Sequence, residues 1–270
     1  DPRQFGTSLL AVDAKVSMSG AVKTPFVRLA SEPKPGDLTL TLSAAVSGWS
    51  VGDVVVLPDS RHVPYAQRLT FADHSERLMV ASVATNGLSV TLTSAVQFAH
   101  PGARDGNGVL EFLPHVGNIS RNVIIRSANP TGTRGHVLFT ERSDVDVRYI
   151  AEENLGRTTI APLDVTTFDA SGAVSHVGTN QIGRYPLHFH HVLGPVATPA
   201  NGYQFTIIGV AQADDAPVNI HKWAVVIHAS HYGLIDKNVI SNAGGWGIGT
   251  EDGSESYNIF SSNFIAKVWG

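Results

Sequence analysis

The chain contains no cysteine, which excludes disulfides, thiolate metal sites and cysteine nucleophiles. It is also short of charge: 16% of its 270 residues are Asp, Glu, Lys or Arg, poor material for long solvated helices. No stretch of a dozen residues carries helical periodicity. No apolar run reaches the length of a membrane span, and the opening DPRQFGTSLL lacks the charged start and apolar middle of a signal peptide. The net charge of −4 comes with 12 histidines and no basic run, so nothing provides an electrostatic footprint for nucleic acid. The chain reads as an excised or processed segment, since NFIAKVWG resembles an unfinished strand. Both ends are expected to continue in a parent protein.

Glycine and proline are plentiful, 26 and 14 residues, which suits many short strands joined by turns and predicts an all-β protein. From Leu38, alternating apolar and small polar residues lead to a Gly-Trp turn and the valine run 54–56. RLMVASVATNGLSVTLTSAVQF places two strand-like runs around Asn86-Gly87, a strong hairpin signal. Residues 30–117 therefore read as an antiparallel β unit. From Asn118 onward short β-branched runs recur before polar turns: NVIIRSANPTG, VDVRYIAEENLG, FTIIGVAQADD, LIDKNVISNAGG and NIFSSNFIAKVWG. Aligning Ile125, Ile150, Val210, Ile240 and Ile265 spaces them by 25, 60, 30 and 25 residues, close to one coil of a parallel β-helix per repeat. The long gap is filled by the turn-rich excursion 157–183. Asn238 and Asn263 fall at equivalent places, as inward polar ladders do in such solenoids. A β-sandwich with irregular spacing is the competing architecture.

Three apolar-flanked segments carry the conspicuous polar side chains: PLHFHH (186–191), VVIHAS (225–230) and GIGTEDG (247–253). As one strand on successive coils they stack His190, His228 and Glu251, with His136 extending the column. Alternation puts His188 and His190 on one face and Phe189 on the other. Imidazoles plus a carboxylate suit a divalent transition metal, Zn or similar, with Ca as the other option. A metal-free site would use Glu251 or Asp252 as general acid or base with a histidine partner. Spacing leaves both open, beside the plain alternative that each histidine is merely hydrogen-bonded structure.

His221, Lys222 and Arg184 are placed to line a groove beside the column, and Arg184 and Lys237 would add positive charge for an acidic polymer. Trp223, Trp246 and Tyr185 would stack on sugar rings or simply pack at coil corners. His62, His74 and His100 lie in turn-rich stretches and are expected to be solvated. No phosphate-binding loop, nucleophile elbow or helix-borne His-Glu motif is present, and Gly244-Gly245-Trp246-Gly247 lacks the strand-turn-helix setting of a dinucleotide fingerprint.

RYPLHFH (184–190), VIHA (226–229), GLIDKNV (233–239) and TEDG (250–253) resemble signature segments of the family whose characteristic domain is named for its eight glycines. That group of cell-surface hyaluronidase-like proteins includes the cell-migration-inducing hyaluronan-binding protein, the transmembrane hyaluronidase and the fibrocystin-like proteins. FGTSLLAVDAKVSMSGAVKTPFVRL resembles the end of the glycine-named domain, which assigns 1–29 to a preceding β domain, 30–117 to the antiparallel unit and 118–270 to β-helix coils. The resemblance implies a right-handed parallel β-helix, a secreted or cell-surface setting and polysaccharide handling, including hyaluronan depolymerisation in some members. The chain departs from the vertebrate pattern in lacking cysteine and in having Trp246 where those members tend to have histidine, which suits a bacterial relative. The expected function is cleavage of a hyaluronan-like or other uronic-acid polymer. His190, His228, Glu251 and His136 are its expected metal ligands and Glu251, Asp252 and His188 its expected catalytic groups. Arg184, His221, Lys222, Trp223 and Trp246 are expected to bind substrate. The rival is a non-catalytic glycan-binding or adhesion module, and a third reading is a metal-stabilised structural segment.

Overall fold

A computed structural model describes residues 3–67, 70–194, 197 and 199–269. The chain divides into two compact units, Ala21–Ser120 and the remainder.

The larger unit is a parallel β-helix built from three five-stranded parallel sheets. The first sheet stacks Leu9–Val12, Val137–Glu141, Leu187–Val192, Val225–His228 and Ile248–Thr250. The second stacks Lys15–Ser19, Asp144–Arg148, Phe205–Ile208, Gly233–Asp236 and Ile259–Ser261, and the third begins at Ile124–Arg126 and ends at Phe264–Trp269. Each coil contributes one strand to each sheet, and β-branched and aromatic residues fill the interior. Phe139, Phe189 and Phe205 are fully buried, with Phe189 stacked on Phe205 at 4.2 Å. Parallel strands covered on their inner face read as apolar runs, which is why the repeat is visible in the sequence at all.

Two details differ from the expected repeat. In the third sheet Ile125, Ile240 and Ile265 are in register, but their partners on the intervening coils are Glu152 and Gln212, not Ile150 and Val210. Those two apolar residues sit just before their strands, both buried in the core, and the polar side chains take the inward positions that hydrophobicity assigned to their neighbours. Leu9–Val12 and Lys15–Ser19 also form the first coil by pairing with Val137–Glu141 and Asp144–Arg148, and do not close a preceding β domain over 1–29. Their partners lie more than a hundred residues away, beyond any local pattern. In chain order the antiparallel unit interrupts this first coil. The asparagine ladder forms as expected: Asn238 Nδ2 donates to Asn263 Oδ1 at 3.0 Å, and Asn238 Oδ1 accepts from Val210 N at 2.9 Å.

The antiparallel unit spans 21–120, wider than the expected 30–117. Its six-stranded sheet orders Phe26–Arg28, His115–Asn118, Val54–Leu57, Glu76–Val83, Ser89–Leu92 and Thr39–Thr41. Asn86-Gly87 makes the predicted hairpin turn, with Gly87 at φ 70°. Added carbon there would meet Val46 O at 2.8 Å, so glycine is required on two counts. His62 is exposed, but His100 is fully buried and not solvated: its ring sits between Pro58 O and the Glu76 carboxylate. Among the described residues no helix is long and apolar enough to cross a membrane.

Candidate metal centre

The outward positions of the first sheet build the site. Register aligns Leu10, Leu138, His188, Val226 and Gly249, and beside them Val12, Thr140, His190 and His228. Glu251 continues that second row, since its N–H donates to Ile227 O at 2.9 Å. The expected column of His190, His228 and Glu251 is thus a true stack, with His188 beside it.

Hydrogen bonds decide which atoms face the centre. His188 Nδ1 lies 3.0 Å from Gly183 O, which can only accept, so Nδ1 carries the proton and Nε2 keeps its lone pair. That Nε2 is buried without a partner. His228 Nε2 lies 2.8 Å from Asp252 Oδ2, which fixes its proton there and leaves Nδ1 free. His228 Nδ1 is 3.0 Å from His190 Nδ1 and 3.5 Å from Glu251 Oε2, and His188 Nε2 is 3.8 Å from the same Oε2. Tyr185 OH donates to Glu251 Oε1 at 2.9 Å, so Oε2 is left buried and unpartnered.

Two buried acceptors without partners, His188 Nε2 and Glu251 Oε2, therefore converge beside His228 Nδ1, which pairs with His190 Nδ1. The ligand atoms of His188, His190 and His228 lie within 4.8 Å of each other. Donors sharing a tetrahedral ion at ~2.0–2.1 Å stand ~3.3 Å apart, a value that the 3.0 Å His190–His228 and 3.5 Å His228–Glu251 contacts bracket. Burial, then the neighbouring imidazoles, pushes His190 down to about 4 and holds His188 well below the usual histidine range, so both are neutral at physiological pH, the form a metal needs. Burial and the Glu251 charge push the Tyr185 phenol up, which keeps it a donor. The His228–Asp252 contact is the carboxylate–histidine arrangement that orients metal-binding imidazoles. The residues present fit a divalent transition metal.

The other expected site residues are spread out. His136 is buried against Ser8 Oγ at 2.7 Å and lies outside the three-histidine cluster. His188, expected as a catalytic group and as a further ligand candidate, is a member of the three-histidine cluster. Arg184 lines the groove, but its Nε and Nη2 donate to Arg3 O and its Nη1 to Ile182 O, so it ties backbone together. Trp223 stacks between Trp246 at 4.1 Å and Tyr185 at 5.0 Å, all three two residues ahead of a first-sheet strand, which is packing at coil corners. Lys222 sits over the Trp223 ring, His221 bonds Asn219, and Lys237 pairs with Asp236. Sequence reading assigned Tyr185 to sugar or corner packing and missed its bond to Glu251, for which no local signal exists. The cluster forms one end of a groove of about 510 Å³ whose remaining wall includes Phe5, Leu10, Val12, Leu138 and Ile182.

Residues 165–269 match the CEMIP beta-helix family. Over 98% of its length the chain is 27% identical to human fibrocystin-L and 26% identical to a G8 domain-containing protein of Dictyostelium discoideum. It spans 6% of the former and 15% of the latter. Among solved structures it overlaps the tailspike gp49 from Pseudomonas phage LKA1 (12% identity, TM-score 0.30, 90% of this chain and 39% of that one). It also overlaps the Gp54 tailspike of Acinetobacter baumannii bacteriophage AP22, solved with capsular saccharide (14% identity, TM-score 0.29, 94% and 39%). Likeness at such scores says nothing about ligands. The β-helix segment 165–269 is thus similar to the CEMIP beta-helix family, and the chain along its length is similar to fibrocystin-L and the G8 domain-containing protein.

Proposed function

We propose that the chain is the polysaccharide-degrading segment of a secreted or cell-surface protein, acting on a hyaluronan-like or other uronic-acid polymer. In this reading a divalent transition metal is held by His188, His190, His228 and Glu251. The observation that carries it is the pair of buried, unpartnered acceptors, His188 Nε2 and Glu251 Oε2, beside the paired Nδ1 atoms of His190 and His228. Buried polar atoms without partners are costly unless a ligand satisfies them. Three imidazoles and one carboxylate favour a transition metal over Ca. Such a metal supplies Lewis-acid polarisation and a lowered pKa for bound water. Tyr185 holds Glu251 in place, Gly183 O and Asp252 fix the tautomers of His188 and His228, and Asp252, half exposed at the rim, is the carboxylate placed to exchange a proton with solvent.

The test combines elemental analysis with a reducing-end assay on a uronic-acid polymer. About one transition metal per chain, lost on chelation and in His228→Ala, together with metal-dependent cleavage, is expected. Metal without cleavage would favour a glycan-binding module, and a metal-free chain would overturn the site.

A further inference from the structure

The excursion 157–183 is closed at its base by two arginines, with Arg157 N donating to Arg184 O at 2.9 Å. Both guanidiniums turn toward the segment 3–7. Arg184 spends all three nitrogens on the carbonyls of Arg3 and Ile182. Arg157 Nη1 reaches Gly6 O, Thr7 Oγ1 and Arg134 O at 3.1–3.2 Å, while its Nε and Nη2 are buried with no partner. Every contact of either arginine is neutral, and neither forms an ion pair among the described residues. Yet the two charges act on each other: burial and then Arg157 push Arg184 down to about 10. Burial together with both arginines pushes His136 down to about 3. Buried cations are normally paired, because an uncompensated charge out of water is expensive. Arg157 opens onto a pocket of about 440 Å³ that it shares with Gln4, Thr7, Thr133 and Thr179, none of them acidic. Arg184 lines the groove of the metal centre.

We infer that Arg157, backed by Arg184, is an anion subsite that takes a carboxylate of an acidic polysaccharide threaded past the metal centre. This rests on the glycan reading above and adds the group that reads the polymer's charge. Arginine forks recognise carboxylates with charge-assisted bonds, and the unused N–H groups on Arg157 Nε and Nη2 are the ones such an oxygen would satisfy.

The full chain, metal-loaded and chelated, is titrated calorimetrically with a uronic-acid tetrasaccharide, a neutral glucan tetrasaccharide and inorganic sulfate. The acidic probe should bind the wild type more tightly than the neutral one, with a preference that shrinks as salt rises. Arg157→Gln should weaken the acidic probe about 10- to 100-fold, as expected for loss of a charge-assisted bond, with neutral binding and metal content unchanged. Because Arg157 also braces the segment 3–7, Thr133→Glu, an exposed change in the same pocket, gives a second route to the same loss. Unchanged acidic binding in both variants overturns the proposal, as does sulfate binding as tightly as the tetrasaccharide, which would make this a site for small free anions. An acid preference that vanishes on chelation but survives Arg157→Gln assigns the carboxylate to the metal and sinks the arginine subsite alone. An Arg157-dependent preference in a chain without metal keeps the subsite and sinks the metal centre.

Discussion

In the antiparallel unit His100 is fully buried and both ring nitrogens are engaged, one by Pro58 O at 2.7 Å and one by Glu76 Oε1 at 3.0 Å. Glu76 in turn accepts from the backbone of Gln97 and Phe98. Asp53 is treated likewise, held by Lys23, Asn118 and Ser50 N. In the β-helix His188 is as deeply buried, but only Nδ1 is bonded, and its open nitrogen faces a carboxylate oxygen that is also open. Both units bury acids and histidines. Where both ring nitrogens have hydrogen-bond partners the group is structural, and where buried polar atoms without partners converge the protein has left room for something else. Glu152 shows the intermediate case: both its oxygens are unpartnered, as is Gln212 Oε1 on the next coil, but neither residue belongs to the three-histidine cluster.

The largest expected effect tests that third case. Burial alone raises Glu152 from 4.5 to about 8, so the folded state holds a proton that the unfolded state releases. Its contribution to stability is present below about pH 4.5 and lost as pH rises toward 8. At 1.36 kcal/mol per pKa unit this amounts to roughly 5 kcal/mol. Glu152→Gln should flatten the decline between pH 5 and 8 in denaturant titrations, and a variant with the wild-type slope would show that Glu152 finds a donor.

Next in size, His100→Ala should destabilise the antiparallel unit by about 3–5 kcal/mol, the cost of leaving the buried Glu76 carboxylate without its partner, with metal stoichiometry untouched. A loss of metal, or a change below 1 kcal/mol in the denaturant midpoint, would erase the distinction between matched and unmatched sites. The smallest effect belongs to Tyr185→Phe, which frees Glu251 Oε1. Metal affinity should fall about 10- to 100-fold, as for other outer partners of metal ligands, while the fold persists. Competition against a chromogenic chelator measures it, and unchanged affinity would remove Tyr185 from the site.

Much of the architecture was legible because parallel strands covered on one face must be apolar, and apolar runs recur visibly near Ile125, Ile240 and Ile265. Composition alone excluded disulfides and a helical protein, and Asn86-Gly87 announced its hairpin because that turn needs φ > 0. Strand alternation was enough to put His188 and His190 on one face, and reading three segments as one strand on successive coils put Glu251 in line with His228. The rest depended on partners distant in sequence. No local pattern joins Leu9–Val12 to Val137–Glu141, brings Tyr185 to Glu251, or sets His100 beside Pro58. Whether a histidine nitrogen bears a proton or an open lone pair is settled by what lies 3 Å away in the folded chain, and only tertiary structure decides that.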